Sequence, residues 1–295
     1  MTIKEHEPMN KHLTFRIGGP ARFFVEVKNV DELKEALQMA KEKNLPWFVL
    51  GGGSNTLCAD KGYDGVVIQM SNRDVVIDGE RVTAGAGAMS VSVARTVGDA
   101  GLTGIEWMVS LPGTLGGAVR GNAGCFGGEM KDVIESVRVL RIGGATVPRY
   151  EIVELSNADC QFGYRESVFK HNGDIIIDAT FTLALGDKET IKAKMTEVLG
   201  KRKTTQPTAS GTAGCMFKNP LVDGKLQSCG KIIDDLGLKG TKMGGISISD
   251  VHGNFLINDG TATAGEVIQL VSLIKTRASD QLGVQLQEEI HYLGF

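Results

Sequence analysis

P-W-F-V-L-G-G-G-S-N (46–55) is the stretch on which the fold turns. Four apolar residues between a proline and three glycines read as a short buried strand running into a glycine loop. Just upstream, R-F-F-V-E-V (22–27) alternates with the period of a strand. V-D-E-L-K-E-A-L-Q-M-A (30–40) then places Val30, Leu33, Leu37 and Ala40 at helical spacing, and Asn29 with Glu32 is set as a capping box. G-V-V-I (65–68) reads as another strand. The result is a β-α-β-type unit with a glycine loop at a strand end, where consecutive backbone N–H groups can approach a phosphate.

Beyond residue 70 the pattern is strand-rich. V-V-I-D-G-E-R-V-T carries an Asp78-Gly79 hairpin signal, and V-R-V-L-R-I-G-G-A-T-V carries a Gly-Gly one. A helix is expected over 90–100, a strand over 175–185 and a charged amphipathic helix over 188–201. The polar segment 201–212 loses periodicity and gains turn residues, as a linker does. In the last third, strands are expected at 245–249 and 254–258. A long helix follows from Thr263, with Glu266 completing a capping box, and a terminal strand occupies 284–295.

Composition narrows the function. The chain has 295 residues and a net charge of −3, so no global basic field argues for nucleic acid or an anionic membrane. The first ten residues have no apolar core, and no uncharged apolar run approaches the roughly 20 residues that span a bilayer. A soluble, cytosolic protein is expected. Five cysteines (58, 125, 160, 215 and 229), none in a C-x-x-C pair, argue against a disulfide scaffold and a structural metal. The 39 glycines are roughly twice the usual share of about 7 %.

Those glycines cluster in three loops, 51–55, 85–88 and 113–124. None is a P-loop or a Rossmann fingerprint, and any one alone reads first as a set of tight turns. Together they point to a dinucleotide held outside a Rossmann domain. Arg165 in a turn, Glu289 in the terminal strand and His252 in a loop each read, in isolation, as ordinary surface or loop residues. Cys215, in A-G-C-M-F-K-N-P (213–220), reads in isolation as a small buried hydrophobe. A cysteine hydrolase with His252, His171 or His291 as base finds no support in spacing and leaves three phosphate-type loops unexplained.

The motifs, taken in order, resemble the UDP-N-acetylenolpyruvoylglucosamine reductases (MurB type). The matching stretches are T-F-R-I-G-G-P-A (14–21), L-G-G-G-S-N-T-L (50–57), the run 101–124, F-G-Y-R-E-S-V-F (162–169), A-G-C-M-F-K-N-P (213–220), L-K-G (238–240), H-G-N-F-L-I-N (252–258) and the closing L-Q-E-E-I-H-Y-L-G. The chain has no extra segment between Arg165 and Gln206, so it is similar to the shorter type without a tyrosine-bearing loop. The resemblance implies an α+β fold: a two-part FAD-binding fold of the vanillyl-alcohol-oxidase/PCMH type plus a C-terminal α+β substrate domain. Its regions would be 1–69 and 70–199 for FAD and 200–283 for substrate, with 284–295 returning to the first.

The same resemblance implies that Gly51, Gly52, Gly53, Ser54 and Asn55 cradle the FAD pyrophosphate. Ser110, Pro112, Gly113, Thr114, Gly116, Gly117, Asn122, Ala123 and Gly124 would assist. NADPH is the implied reductant and a UDP-sugar the implied substrate, with no metal. Arg165 and Glu289 match positions that stabilise the enolate formed by hydride transfer, and Cys215 stands at the proton-donor position. Tyr164, Asn219 and Lys239 match residues lining the substrate site. At His252 both a ligand contact and a structural hydrogen bond fit. Two competing readings remain: another FAD oxidoreductase of the same fold acting on an alcohol or sugar, and a non-catalytic nucleotide-binding relative.

Overall fold

The computed structural model describes residues 1–144, 149–207 and 211–295. The chain divides into two compact units. The first comprises 1–4, 24–52 and 65–202, and the second comprises 5–23, 53–64 and 203–295. None of its helices is long and apolar enough to cross a membrane, among the described residues.

In the first unit, helix α1 (Val30–Glu42) buries Leu33, Leu37 and Ala40, the stripe expected from spacing. Only half of the expected capping box forms. Asn29 Oδ1 accepts from Glu32 N–H, whereas the Glu32 carboxylate accepts from Lys28 N–H (2.8 Å) rather than from the cap residue. The strand Trp47–Leu50 runs parallel to Tyr63–Met70, pairing Trp47 with Val66 through Leu50 with Gln69. It is an edge strand in the order Thr2–Pro8, Pro20–Val27, Tyr63–Met70, Trp47–Leu50. The expectation of a buried strand is therefore corrected: only Leu50 is buried, and Trp47 is 38 % exposed. An edge position leaves one side without a neighbour, and apolar runs do not report that.

The larger sheet of this unit is antiparallel: Arg149–Ser156, Ile134–Gly143, Ile175–Thr182, Arg81–Gly85, Val75–Asp78. Its central strand Ile175–Thr182 is buried along all but its last residue. Helix α2 (Ser90–Asp99) contributes Val93, Ala94 and Val97 to the core beneath it. The first hairpin is shifted by one residue from expectation. Asp78 pairs with Arg81, so Gly79 and Glu80 make the turn, with Gly79 at φ +60° supplying the left-handed first position. The Gly-Gly hairpin signal falls where Gly143 pairs with Arg149, but its connection at 145–148 lies outside the described residues.

Within the glycine run a short helix α3 (Leu115–Arg120) forms, which the sequence reading did not anticipate because its two glycines lower helix propensity. Helix α4 (Lys188–Thr205) runs past the expected end at 201, so the first five residues of the expected linker are helical. Residues 208–210 of that linker lie outside the described residues. Apart from the buried Ile191, α4 is half-buried at Met195, Val198 and Arg202 along that stripe and exposed elsewhere, a narrower face than its amphipathic reading implied.

The second unit packs Phe15, Ile17, Leu57 and Phe217 with helices α5 (Cys229–Asp235) and α6 (Ala264–Leu282). Its small sheet orders Lys242–Met243, Ile246–Ile248, Leu256–Asn258. At the start of α6 both legs of the expected capping box are present between Thr263 and Glu266. Asp60 adds acceptors for Ala264 N–H (2.8 Å) and Gly265 N–H (3.1 Å). The expected terminal strand shrinks to His291–Leu293, parallel to Thr56–Cys58, while the preceding residues hold only an isolated bridge between Glu288 and Phe217.

Candidate functional site

In the first unit the opening glycines of the first loop, Gly51 and Gly52, meet the 113–124 loop, which in turn meets the 85–88 loop. A Cβ on Gly51 would stand 2.5 Å from Thr114 Oγ1, and one on Gly52 would stand 2.6 Å from Gly113 Cα. A Cβ on Gly116 would stand 2.9 Å from Ala86 Cβ. Leu115 and Gly116 N–H donate to the carbonyls of Ala88 (2.8 Å) and Ala86 (2.9 Å), and Ser90 N–H donates to Gly113 O (3.0 Å). The glycines at 51, 52 and 116 are thus required so that loops can touch one another, a demand that sequence alone did not separate from ligand approach. Asn72 fixes the middle loop by accepting from Gly87 N–H (3.0 Å) and donating to Ile177 O (2.7 Å).

At this junction the Thr114 and Ser90 hydroxyls are buried with no hydrogen-bond partner among the described residues. A buried hydroxyl left unpaired costs about 1–3 kcal/mol. A ligand rich in phosphate and ribityl oxygens would satisfy both, so the residues present fit FAD. Ser90 was missed in the sequence; its signal was a serine opening a helix directly after a glycine loop.

The turn 161–167 docks on the end of the third loop. Asn122, at φ +41° and fully buried, donates to Glu129 Oε2 (2.8 Å) and Gly163 O (2.9 Å) and accepts from Lys131 N–H (3.0 Å). Both amide N–H groups are thereby engaged within the protein. Ser167 Oγ donates to Arg120 O (2.6 Å). Arg165 takes a left-handed backbone (φ +55°), costly for a residue with a long side chain. Its guanidinium donates to Gly124 O (3.1 Å) and lies 5.3 Å from the ring centroid of Tyr164. Beside Gly124, the Cys125 thiol accepts or donates at 3.5 Å with Ser110 Oγ, and burial pushes its pKa up.

In the second unit, Gly53 (φ +63°) has its Cβ position filled by His12 O at 2.1 Å. Thr14 N–H donates to Gly53 O (3.1 Å) and Thr14 Oγ1 to Thr212 O (2.7 Å), which joins the 14–21 motif to the approach to Cys215. The segment at Cys215 is gripped from two sides. On one side Cys215 bridges Phe255 and Met216 N–H donates to Asn254 O (2.8 Å). On the other, Glu289 N–H donates to Met216 O and Lys218 N–H to Gln287 O, both at 2.8 Å. Asn55 Nδ2 donates to Glu289 O (3.1 Å), and His291 N–H donates to Asn55 O (2.9 Å). Cys215, Glu289 and Asn55 therefore lie on adjoining backbones.

Around α5 the remaining candidates assemble. Asn219 Oδ1 accepts from Cys229 N–H (3.0 Å), and Lys239 Nζ pairs with Asp234 Oδ2 (2.7 Å). His252 Nδ1 accepts from Asn254 N–H (3.2 Å), so its neutral form carries the proton on Nε2. Burial lowers the His252 pKa, and the nearby Lys239 charge lowers it further, keeping the ring neutral at pH 7. Gly230 must lack a side chain, since a Cβ there would meet the ring at 2.6 Å. Among the described residues no cluster of three or more His, Cys, Asp or Glu is arranged to hold a metal.

Residues 206–293 match the family described as UDP-N-acetylenolpyruvoylglucosamine reductase, C-terminal domain, and residues 21–148 match an FAD binding domain. The UDP-N-acetylenolpyruvoylglucosamine reductase of Clostridioides difficile (strain 630) is 38 % identical over 294 residues, covering 99 % of this chain and 93 % of that protein. The chain belongs to the UDP-N-acetylenolpyruvoylglucosamine reductase family. The reductase of Caldicellulosiruptor bescii is 39 % identical, with 99 % of this chain and 90 % of that protein covered. The crystal structure of the reductase (MurB) from Thermus caldophilus aligns with a TM-score of 0.80 at 34 % identity, over 99 % of this chain and 98 % of that one. Membership of the reductase family leaves the cysteine-hydrolase reading without support.

Proposed function

We propose that this protein is the cytoplasmic reductase that converts UDP-N-acetylenolpyruvylglucosamine to UDP-N-acetylmuramate in peptidoglycan precursor synthesis. NADPH is the reductant and FAD the cofactor. The observation that carries the reading is the end-to-end match to the reductases, which includes a chain segment matching an FAD binding domain whose three glycine loops converge on two unpaired buried hydroxyls. Bound FAD supplies a hydride carrier between NADPH and the enolpyruvyl group. In this reading residues 1–69 and 70–199 serve FAD and 200–283 serve the substrate, with 284–295 returning to the first region.

The chain's own residues have distinct tasks. Gly51 to Asn55, with Ser110, Pro112, Gly113, Thr114, Gly116, Gly117, Asn122, Ala123 and Gly124, form and support the cofactor cradle through backbone donors and the Thr114 hydroxyl. Tyr164, Asn219, Lys239 and the neutral Nε2–H of His252 bind the UDP-sugar. Hydride addition at the enolpyruvyl methylene leaves negative charge delocalised into the carboxylate. The Arg165 guanidinium stabilises that charge, and Glu289 helps in its protonated form, because an ionised carboxylate would repel it. Cys215 Sγ–H gives its proton to the neighbouring carbon. A thiol is mostly protonated at neutral pH yet a far better acid than a serine hydroxyl.

An anaerobic absorbance cycle tests the reading. The flavin band of the purified holoprotein should bleach with NADPH and return on addition of UDP-N-acetylenolpyruvylglucosamine. Return with oxygen alone would leave an FAD oxidoreductase of different substrate.

A further inference from the structure

Asn254 is 2 % exposed and is the hub of the grip on Cys215. Its Oδ1 accepts from Phe217 N–H (2.9 Å) and its Nδ2 donates to Phe217 O (2.8 Å), so one amide spans both backbone groups of a single residue. Its own carbonyl accepts from Met216 N–H (2.8 Å), and its N–H donates to His252 Nδ1 (3.2 Å). The neighbouring Phe255 forms the bridge to Cys215. The far edge of the same segment receives Glu289 N–H at Met216 O (2.8 Å). A single buried side chain therefore sets the height of the segment from which the Cys215 thiol projects and against which Glu289 is registered. The Asn254 backbone N–H in turn ties this loop to His252 Nδ1.

We infer that Asn254 is a positioning residue for the protonation step, acting through Phe217 and Met216 on Cys215 and Glu289. This deepens the reductase reading and rests on Cys215 being the proton donor. Only an amide does this work at neutral pH. It donates with one group and accepts with the other, whereas an ionised carboxylate would accept from Phe217 N–H and face Phe217 O with no proton. A protonated carboxyl restores the pair, with O–H toward the carbonyl and C=O toward the N–H.

Asn254→Asp consequently gives a signature that mere destabilisation does not. Titratable and charged groups on the segments packed against it are His252 on its own loop, Cys215 and Lys218 on the gripped segment, and Glu288 and Glu289 on the closing segment. In the FAD-loaded, NADPH-reduced protein, reoxidation by substrate should be near the wild-type rate at acidic pH. It should fall ~10- to 100-fold as pH rises through an ionisation absent from the wild type. Flavin reduction by NADPH should show no such ionisation. Asn258→Asp is the control: Asn258 is also buried and its amide donates to Phe15 O (2.9 Å), away from the Cys215 segment. That variant should lose stability without a new ionisation in reoxidation. If Asn254→Asp and Asn258→Asp both alter stability and leave the reoxidation profile at the wild-type shape, Asn254 is structural and the inference falls. If Cys215→Ala reoxidises at the wild-type rate, the underlying reading falls instead.

Discussion

Cys215 differs from three of the other cysteines in its surroundings. Cys58, Cys160 and Cys229 are fully buried, and burial raises their thiols to about 11, about 12 and about 12; at Cys229 the neighbouring Cys215 adds to the effect. Thiolate is the reactive species, so these three should resist iodoacetamide in the native protein at pH 8 and label only after denaturation, as read by peptide mass spectrometry. Labelling of Cys229 at the rate of a small-molecule thiol would contradict the burial described. His252 gives a second prediction. Its folded pKa lies below the unfolded value, so the unfolded chain takes up the proton first as pH falls. The stability it contributes is complete above about pH 6.5 and is lost as pH falls through the lower folded value. Tm measured from pH 7 to 5 should fall less steeply in His252→Gln than in the wild type. At this scale residue chemistry alone singled out little: Cys215, Arg165 and Glu289 read by themselves as core, turn or surface residues, and only their places in the ordered motifs marked them as candidates. Asn254 escaped because nothing in a linear string marks a buried amide, and Ser90 because its place at a helix start after a glycine loop does not show that its hydroxyl is buried without a partner among the described residues.

Elements were read well where a local rule governs them. Thr263 and Glu266 form the box their spacing implied, and Thr263→Ala should cost about 1 kcal/mol, seen as a lower denaturation midpoint with unchanged flavin content. Asn29 and Glu32 obey the same spacing, yet Glu32 turns to Lys28 N–H and the N-terminal ammonium, partners that the three-residue spacing does not reveal. The hairpin at 78–81 slipped by one residue because both Asp-Gly and Gly-Glu can be central when glycine supplies the positive φ. Close approach was the least legible element property. Gly128 lies outside the three glycine loops, yet a Cβ there would stand 2.3 Å from the Trp107 ring. Gly128→Ala should therefore destabilise by about 1–3 kcal/mol through overpacking, whereas Ala at Gly173, beside which no heavy atom lies within 4 Å, pays only for its φ of +74°.

For the whole molecule, the order of motifs from 14–21 to the closing strand carried more than any motif alone. Each glycine loop by itself was compatible with tight turns, and the contacts that join 51–52 to 113–114 and 115–116 to 86–88 exist only after folding. The return of His291–Leu293 to Thr56–Cys58 is likewise a pairing more than 230 residues apart that no local pattern encodes. The central claim is that Cys215 delivers the proton. It is tested most directly by single-turnover stopped-flow on FAD-loaded Cys215→Ala, following the flavin band anaerobically through both half-reactions. NADPH should bleach the variant at the wild-type rate, and substrate should restore the band ~100-fold or more slowly than in the wild type. Restoration at the wild-type rate would contradict the account and move the proton donor to another group.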